Sequence, residues 1–249
     1  MNLPGKNVIV TGGANGIGKT LIEKLVKENV NVSVFDIDLD ALEQLRKEFP
    51  EVYCKVCDVS NFKRVESAVN EIYQKFNSID VLVNNAGFIY NSLLISYGKG
   101  GLIKHDIKMW DKVIRTNLYS VFYMTSNVVE KMILKRTRGL IINVSSISAG
   151  GNIGQTAYSA AKAGVGVLTY LWSKELSSFK IRVAGIAPGF TKTGTTMQSM
   201  NESMINEWIK KTPAKRFGEP SEIANGILFI IKNEFFNGKI LELDGGLTI

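Results

Sequence analysis

The sequence predicts an α/β protein: a seven-stranded parallel sheet, doubly wound, with helices on both faces. Two observations carry the prediction. Short runs that are apolar at every position alternate with amphipathic segments along the whole chain, the order that builds βαβ units. The first run, V-I-V at 8–10, passes directly into the glycine-rich turn T-G-G-A-N-G-I-G at 11–18. A run without polar alternation suits a strand covered on both sides, and right-handed crossovers supply the covers.

The elements follow in order. A strand at 7–11 leads through the glycine turn into a helix at about 16–28. A second strand at 31–35 and a helix at 39–49 come next, then a third strand at 52–57 with its helix at 62–76. The fourth strand is 81–83. A helix at about 109–135 precedes the fifth, 140–144, and a helix at 156–178 precedes the sixth, 181–186. A late helix at 221–231 leads to the seventh strand, 239–243. No repeat, linker or low-complexity tract interrupts the series, so a single domain is expected over 1–249.

The apolar share of 45% is enough for a sizeable core. Met1 is followed by Asn, Leu, Pro, Gly and Lys without an apolar h-region, and no apolar run reaches the ~18 residues that span a bilayer. A cytoplasmic protein with no membrane contact is expected. The net charge of +7 is spread over scattered lysines without a basic run, so a solvated surface is expected and nucleic-acid binding is not. Cys54 and Cys57 read C-x-x-C. Three apart on a strand, they point to opposite faces, and no second pair or histidine cluster joins them, so no metal site is expected.

The turn at 11–18 offers Gly12, Asn15, Gly16, Ile17 and Gly18 as candidate contacts to a pyrophosphate. Glycines let the backbone turn tightly and come close, and the helix that follows presents free N–H groups and a positive dipole end. Asp36 ends the second strand, eighteen residues after Gly18. A carboxylate there accepts hydrogen bonds from a ribose 2′-hydroxyl and repels a 2′-phosphate. Asn15, Ile37 and Asp38 add no positive charge, so NAD is expected as cofactor rather than NADP. Asp58 and Val59, after the third strand, are placed to border the adenine.

Tyr158 and Lys162 are four apart on a helix and share a face. A free tyrosine titrates near ~10, too high for a base at neutral pH. One ammonium at ~4 Å, at an effective dielectric of ~20, is worth about 4 kcal/mol, or roughly three pKa units. Such a pair brings a phenol towards neutrality, where acid/base catalysis is efficient.

In this order and spacing the motifs resemble the short-chain dehydrogenase/reductase family over essentially the whole chain. The matching segments are 11–18, D-V at 58–59, N-N-A-G at 84–87, N-L at 117–118, N-V-S-S at 143–146, Y-S-A-A-K at 158–162, A-P-G-F at 187–190 and L-D-G-G at 243–246. The resemblance implies a Rossmann fold and an alcohol/ketone oxidoreductase with Tyr158 as general acid/base. It gives Ser145, thirteen residues before Tyr158, the task of polarising the substrate carbonyl, and Asn117 that of holding a water that links Lys162 to solvent. Ser146, beside Ser145, is the less well spaced of the two serines. Asn84, Asn85, Ala86 and Gly87 would steady the sheet and border the cofactor. Pro188 and Gly189 would shape the turn facing the nicotinamide, Thr191 and Thr193 would hold its carboxamide or the pyrophosphate, and Tyr158 and Lys162 would contact the cofactor as well. The resemblance also implies a lid at about 190–215 and a homo-oligomer, tetramer or dimer, joined through the two long helices.

Asn152 and Gln155 resemble the acyl-carrier-protein reductases of the family, which mostly use NADPH, whereas Asp36 argues for NAD. A secondary alcohol/ketone pair, a 3-oxoacyl thioester and a non-catalytic dinucleotide sensor stay open as readings. Asn117 follows Gly87 by thirty residues, about eight more than in compact members of the family. The extra piece, around 96–104, contains Gly98, Gly100 and Gly101 and reads as a surface loop, a flap at the pocket mouth or a contact with a neighbouring subunit. The lone histidine, His105, is expected at the surface.

Overall fold

A computed structural model describes residues 1–249. The first half holds β1 (Asn7–Thr11), α1 (Gly16–Lys27), β2 (Asn31–Asp36), α2 (Leu39–Glu48), β3 (Tyr53–Val56), α3 (Phe62–Phe76) and β4 (Val81–Asn84). Then come β5 (Ile95–Gly98), β6 (Gly101–Lys104), α4 (Ile107–Ile114), α5 (Ser120–Leu134), β7 (Leu140–Val144) and α6 (Thr156–Glu175). The chain ends through β8 (Arg182–Pro188), α7 (Gly194–Gln198), α8 (Glu202–Lys211), α9 (Pro220–Lys232) and β9 (Ile240–Leu243).

Seven strands form one sheet in the order β3-β2-β1-β4-β7-β8-β9, every pair parallel. β1 lies in the middle, with Val10 flanked by Val34 of β2 and Val83 of β4. The chain winds outward from β1 to β3 and then returns to the other side of β1. The resulting switch point, between the carboxyl ends of β1 and β4, is where open α/β sheets bind ligands.

The sheet separates two cores. On one face Leu21, Ile22 and Leu25 of α1 pack with Ile223, Ile227 and Ile230 of α9; on the other, Val65, Val69 and Ile72 of α3 pack with Met124, Val128 and Met132 of α5. The strands contribute to both, which is why they read as unbroken apolar runs. Cys54 belongs to the first core and Cys57 to the second, both as free thiols. The expected opposite facing holds.

Three local features differ from the expectation. The helix expected at 109–135 begins at Ile107 and is interrupted by a π turn, Arg115–Tyr119, that carries Asn117. The insertion is not a plain loop but an antiparallel hairpin, β5–β6, closed by Lys99 and Gly100, with Gly101 at φ +111°. Its four-residue strands are too short for period-two alternation to outweigh three glycines in the sequence. His105 is half-buried rather than a surface residue. Its N–H extends the hairpin ladder to Leu94 O, which turns the ring edge-on to Tyr90 and Trp110.

Candidate active site

The sequence-predicted residues gather along the carboxyl edge of the sheet because most of them lie in, or directly after, β1, β2, β4, β7 and β8. At the switch point Thr11 ends β1, and its hydroxyl accepts from the N–H groups of Asn85 and Ala86 at 3.0 Å each. The Asn85 amide donates to Thr11 O at 3.0 Å and Gly12 O at 2.8 Å. The glycine turn is thereby clamped to the N-N-A-G segment. A Cβ on Gly18 would lie 2.3 Å from Gly12 O, so only glycine lets the turn close at this point.

α1 starts at Gly16 beneath this turn. Its N-cap, Asn15, makes no side-chain cap bond, and no acidic residue sits in the first turn. The N–H groups at this end therefore remain free for an anion. Thr193 approaches from the other side: its Cγ2 is 3.3 Å from where a Gly16 Cβ would be. A glycine cradle, a free helix N-terminus and a nearby threonine fit an extended diphosphate-bearing ligand.

Asp36 flanks the same turn. Its carboxylate accepts from Ala14 N at 3.0 Å, Ile37 N at 2.8 Å and Asp38 N at 3.1 Å. Three main-chain donors fix a negative charge at the tip of β2. Asp58 instead accepts from the N–H and the hydroxyl of Ser60, at 2.9 and 2.6 Å, and shapes the turn that buries Val59.

Under the turn runs a buried polar ladder that gives Asn84 its expected place in steadying the sheet, through partners Thr125 and Thr169 that sequence reasoning missed. Asn84 donates to Thr125 Oγ1 at 3.0 Å and to Asn143 Oδ1 at 2.8 Å. Asn143 donates on to Thr169 Oγ1 at 2.9 Å, and Thr169 to Val165 O at 2.8 Å. This ties β4, β7, α5 and α6 together through satisfied buried groups, which hold one geometry firmly. The available signal was Asn143, a polar residue inside the apolar run L-I-I-N-V.

Asn117 is fully buried in the π turn. Its amide donates to Phe88 O at 2.8 Å and Val113 O at 2.9 Å, while Oδ1 accepts from Phe88 N at 3.2 Å. Both amide hydrogens are spent on main chain, so the side chain fixes the Gly87–Phe88 segment against α4. A Cβ on Gly87 would meet Asn117 Oδ1 at 2.9 Å and Lys162 Nζ at 3.7 Å. Gly87 therefore leaves room for both of these groups.

Ser145, Tyr158 and Lys162 are brought together at the end of β7 and the start of α6, all buried. Ser145 Oγ donates to Lys162 O at 3.1 Å, and Lys162 Nζ donates to Val144 O at 2.7 Å. The ammonium sits 5.6 Å from the Tyr158 ring centroid. Burial pushes the phenol up to about 12, with a hydrogen bond to Ser146 pulling the other way. Burial also pushes Lys162 down to about 8. The expected lowering of the phenol by Lys162 is thus not achieved by the protein's own groups. Loss of water costs the phenolate more, and the ammonium is bound to a main-chain carbonyl. Ser146, set aside on spacing, is the serine whose hydroxyl acts on the phenol's acidity.

Pro188 ends β8, and Gly189 N donates to Leu243 O at 2.9 Å, bringing the L-D-G-G turn alongside. Thr191 is buried and donates to Gly189 O at 3.1 Å. Thr193 caps α7 by accepting from Thr196 N at 3.2 Å. α7 and α8 occupy the expected lid segment. Trp208 of α8 packs on Phe190 at 4.7 Å between centroids, and Phe190 stacks on Phe217 at 5.4 Å. An aromatic base therefore anchors this segment, while Met197 and Met204 stay exposed.

Comparison with known proteins adds the family. The model of the short chain dehydrogenase family matches residues 6–204. The chain is 39% identical to the 3-oxoacyl-(acyl-carrier-protein) reductase FabG of Thermotoga maritima, with 100% of both chains covered. It is 38% identical to the protein of the same name from Chlamydia trachomatis, over 99% of this chain and 98% of that one. The crystal structure of gox2181 superposes with a TM-score of 0.90 at 26% identity, covering 98% of this chain and 96% of the other.

Proposed function

The chain belongs to the short-chain dehydrogenase family and is an oxidoreductase, and from that premise we propose that it reduces the keto group of a 3-oxoacyl thioester to a secondary alcohol, with NADH as hydride donor. The observation that carries the reading is the joint burial of Ser145, Tyr158 and Lys162 beside a glycine turn whose helix N–H groups are free. The thioester is supported by the names of relatives that align end to end, and by Asn152 and Gln155 ahead of Tyr158. NADH is supported by the fixed carboxylate of Asp36, which would repel a 2′-phosphate.

When bound, NADH supplies the hydride to the keto carbon. Gly12, Asn15, Gly16, Ile17 and Gly18 would hold its pyrophosphate, Asp36 its adenosine ribose, and Asp58 and Val59 its adenine. Asn85, Ala86, Gly87, Pro188, Gly189, Thr191 and Thr193 would line the rest. Tyr158 donates its phenolic proton to the carbonyl oxygen as negative charge develops there. A phenol that burial keeps protonated is suited to this direction of reaction. Ser145 turns its hydroxyl from Lys162 O to the same oxygen and stabilises the charge. Lys162 faces the phenolate left behind and stabilises it, and Asn117 holds the π turn and the Gly87 segment in register. The lid excludes water.

An apolar groove between α5 and α6, lined by Leu118, Tyr119, Phe122, Tyr123, Val167 and Leu168, supports a homo-oligomer, tetramer or dimer, joined through these helices. No helix is long and apolar enough to cross a membrane.

The test is turnover of acetoacetyl-coenzyme A by the purified protein with NADH or NADPH, followed at the reduced-nicotinamide band. Turnover with NADH that Tyr158→Phe abolishes is the expected result. Turnover confined to NADPH overturns the role given to Asp36. Turnover of simple ketones but of no thioester overturns the substrate class. Tight NADH binding with no oxidation of any carbonyl compound favours a sensor.

A further inference from the structure

The hairpin β5–β6 packs on neither core, and its two ends are tied to the segments around the catalytic cluster. The segment that leads into it is pinned to the loop before Tyr158. Ser92 bridges to Gln155, Ser92 N donates to Gly154 O at 2.7 Å, and Gln155 Nε2 donates to Asn91 Oδ1 at 3.1 Å. The base of the hairpin is pinned as well. His105 lies edge-on to Tyr90 and Trp110, with ring centroids at 5.5 and 6.1 Å. Tyr90 and Trp110 pack in turn on the small core of Val113, Ala157 and Tyr158. Both ends of the hairpin are therefore fixed to the wall that holds the phenol.

Its faces carry exposed apolar side chains. Tyr97 pairs with Leu102 across one face, where Ile95 is paired with Lys104, and Ile103 pairs with Ser96 on the other. Tyr97 is 90% exposed, and so is Ile153 in the loop bonded to Ser92; Leu94 is exposed as well. A two-stranded hairpin of this size is not stable in water on its own, and an apolar patch rimming a cleft marks a binding surface. The patch follows directly on Asn91 and Ser92, which are bonded to Gly154 and Gln155, and ends at His105, which packs on the Tyr90–Trp110 side of Tyr158. That attachment on both sides of Tyr158 identifies the occupant as the part of the substrate that extends beyond the phenol.

We infer that the 95–104 hairpin, with Leu94 and Ile153, is the binding surface for the distal acyl chain of the substrate and makes the enzyme selective for long chains. The inference rests on the thioester reading above. Each methylene moved fully out of water is worth about fourfold in binding, and about twofold on an open face. Four to six methylenes on the hairpin thus correspond to roughly a 15- to 60-fold preference for a twelve-carbon over a four-carbon substrate.

The experiment compares kcat/KM for 3-oxoacyl-coenzyme A substrates of four, eight and twelve carbons in three proteins. These are the native chain, the double variant Tyr97→Ser/Leu102→Ser, and a deletion of 95–104 replaced by Asn-Gly. Leu94 and His105 already pair, so a two-residue turn closes the ladder there. Both substituted side chains in the double variant are exposed, so folding is not at stake. The expected result is a rise with chain length in the native protein, a fall of about tenfold at twelve carbons in the double variant, and unchanged turnover at four carbons. A flat native profile, or an equal loss at every length, overturns the inference while leaving the thioester reading intact. An unchanged profile with a smaller sedimenting species assigns the face to a second copy of the chain and also overturns it. No turnover at any length, four carbons included, removes the thioester reading itself.

Discussion

The floor of the site and its rim are built by different means. On the floor, Asn84, Asn143, Thr169 and Asn117 have their side-chain donors satisfied by buried partners, and Lys162 spends its ammonium on Val144 O. On the rim, the hairpin and the lid are anchored by aromatic clusters at their bases, His105–Tyr90–Trp110 and Phe190–Trp208–Phe217, while their outer surfaces face water. Directional buried bonds fix the atoms that would meet the reacting oxygen. Apolar contacts, which lack direction, would leave the rim free to accept substrates that differ in shape. Elements with few buried contacts are also those that open at least cost.

That contrast predicts the largest effects on the floor. Tyr158→Phe is expected to lower kcat by about 1,000-fold or more through loss of the proton donor, with NADH affinity by fluorescence titration within about twofold of the native value. An equal loss of NADH affinity would mean that Tyr158 holds the cofactor rather than the proton. Next comes Asp36→Ser. Removing this fixed carboxylate is expected to improve kcat/KM with NADPH relative to NADH by about 10- to 100-fold. An unchanged ratio would show that charge at the tip of β2 does not choose the cofactor.

Lys162→Met separates function from stability at one position. Activity should fall steeply, yet the protein should gain about 1–2 kcal/mol in denaturant unfolding at pH 7, since a buried cation is removed. The sign follows from the lowered group. With Lys162 pushed from 10.5 down to about 8, the folded state releases its proton before the unfolded state does. The cost of burying the charge is full below pH 8 and fades as pH rises towards 10.5. The variant's advantage should fade over that same window. In the reductive direction, native kcat/KM should fall as pH rises through about 8, where the ammonium that stabilises the phenolate is lost.

The smallest effect belongs to the rim. Trp208→Ala removes the lid's packing on Phe190. It is expected to raise KM several-fold and to change thermal stability by about 1–3 kcal/mol, with kcat nearly unchanged. A collapse of kcat would mean that the lid carries a reacting group.

The sequence alone determined the sheet and the glycine turn, although β4 and β8 run on one and two residues further than expected, to Asn84 and Pro188. Those features depend on local pattern: unbroken apolar runs, glycine spacing, and the four-residue step from Tyr158 to Lys162. It also anticipated the opposite facing of Cys54 and Cys57, because strand alternation is a local rule. Only the tertiary structure decided the Asn84–Asn143–Thr169 ladder, the main-chain engagement of Asn117, the approach of Ser146 to the phenol and the direction in which burial moves Tyr158 and Lys162. Those properties depend on how much water is excluded and on which distant groups meet, over separations of up to 59 residues between Asn84 and Asn143. The hairpin falls between the two. Its strands are legible once their pairing is known, but its exposure beside the phenol is a fact of assembly, fixed by His105 and the Ser92–Gln155 bridge.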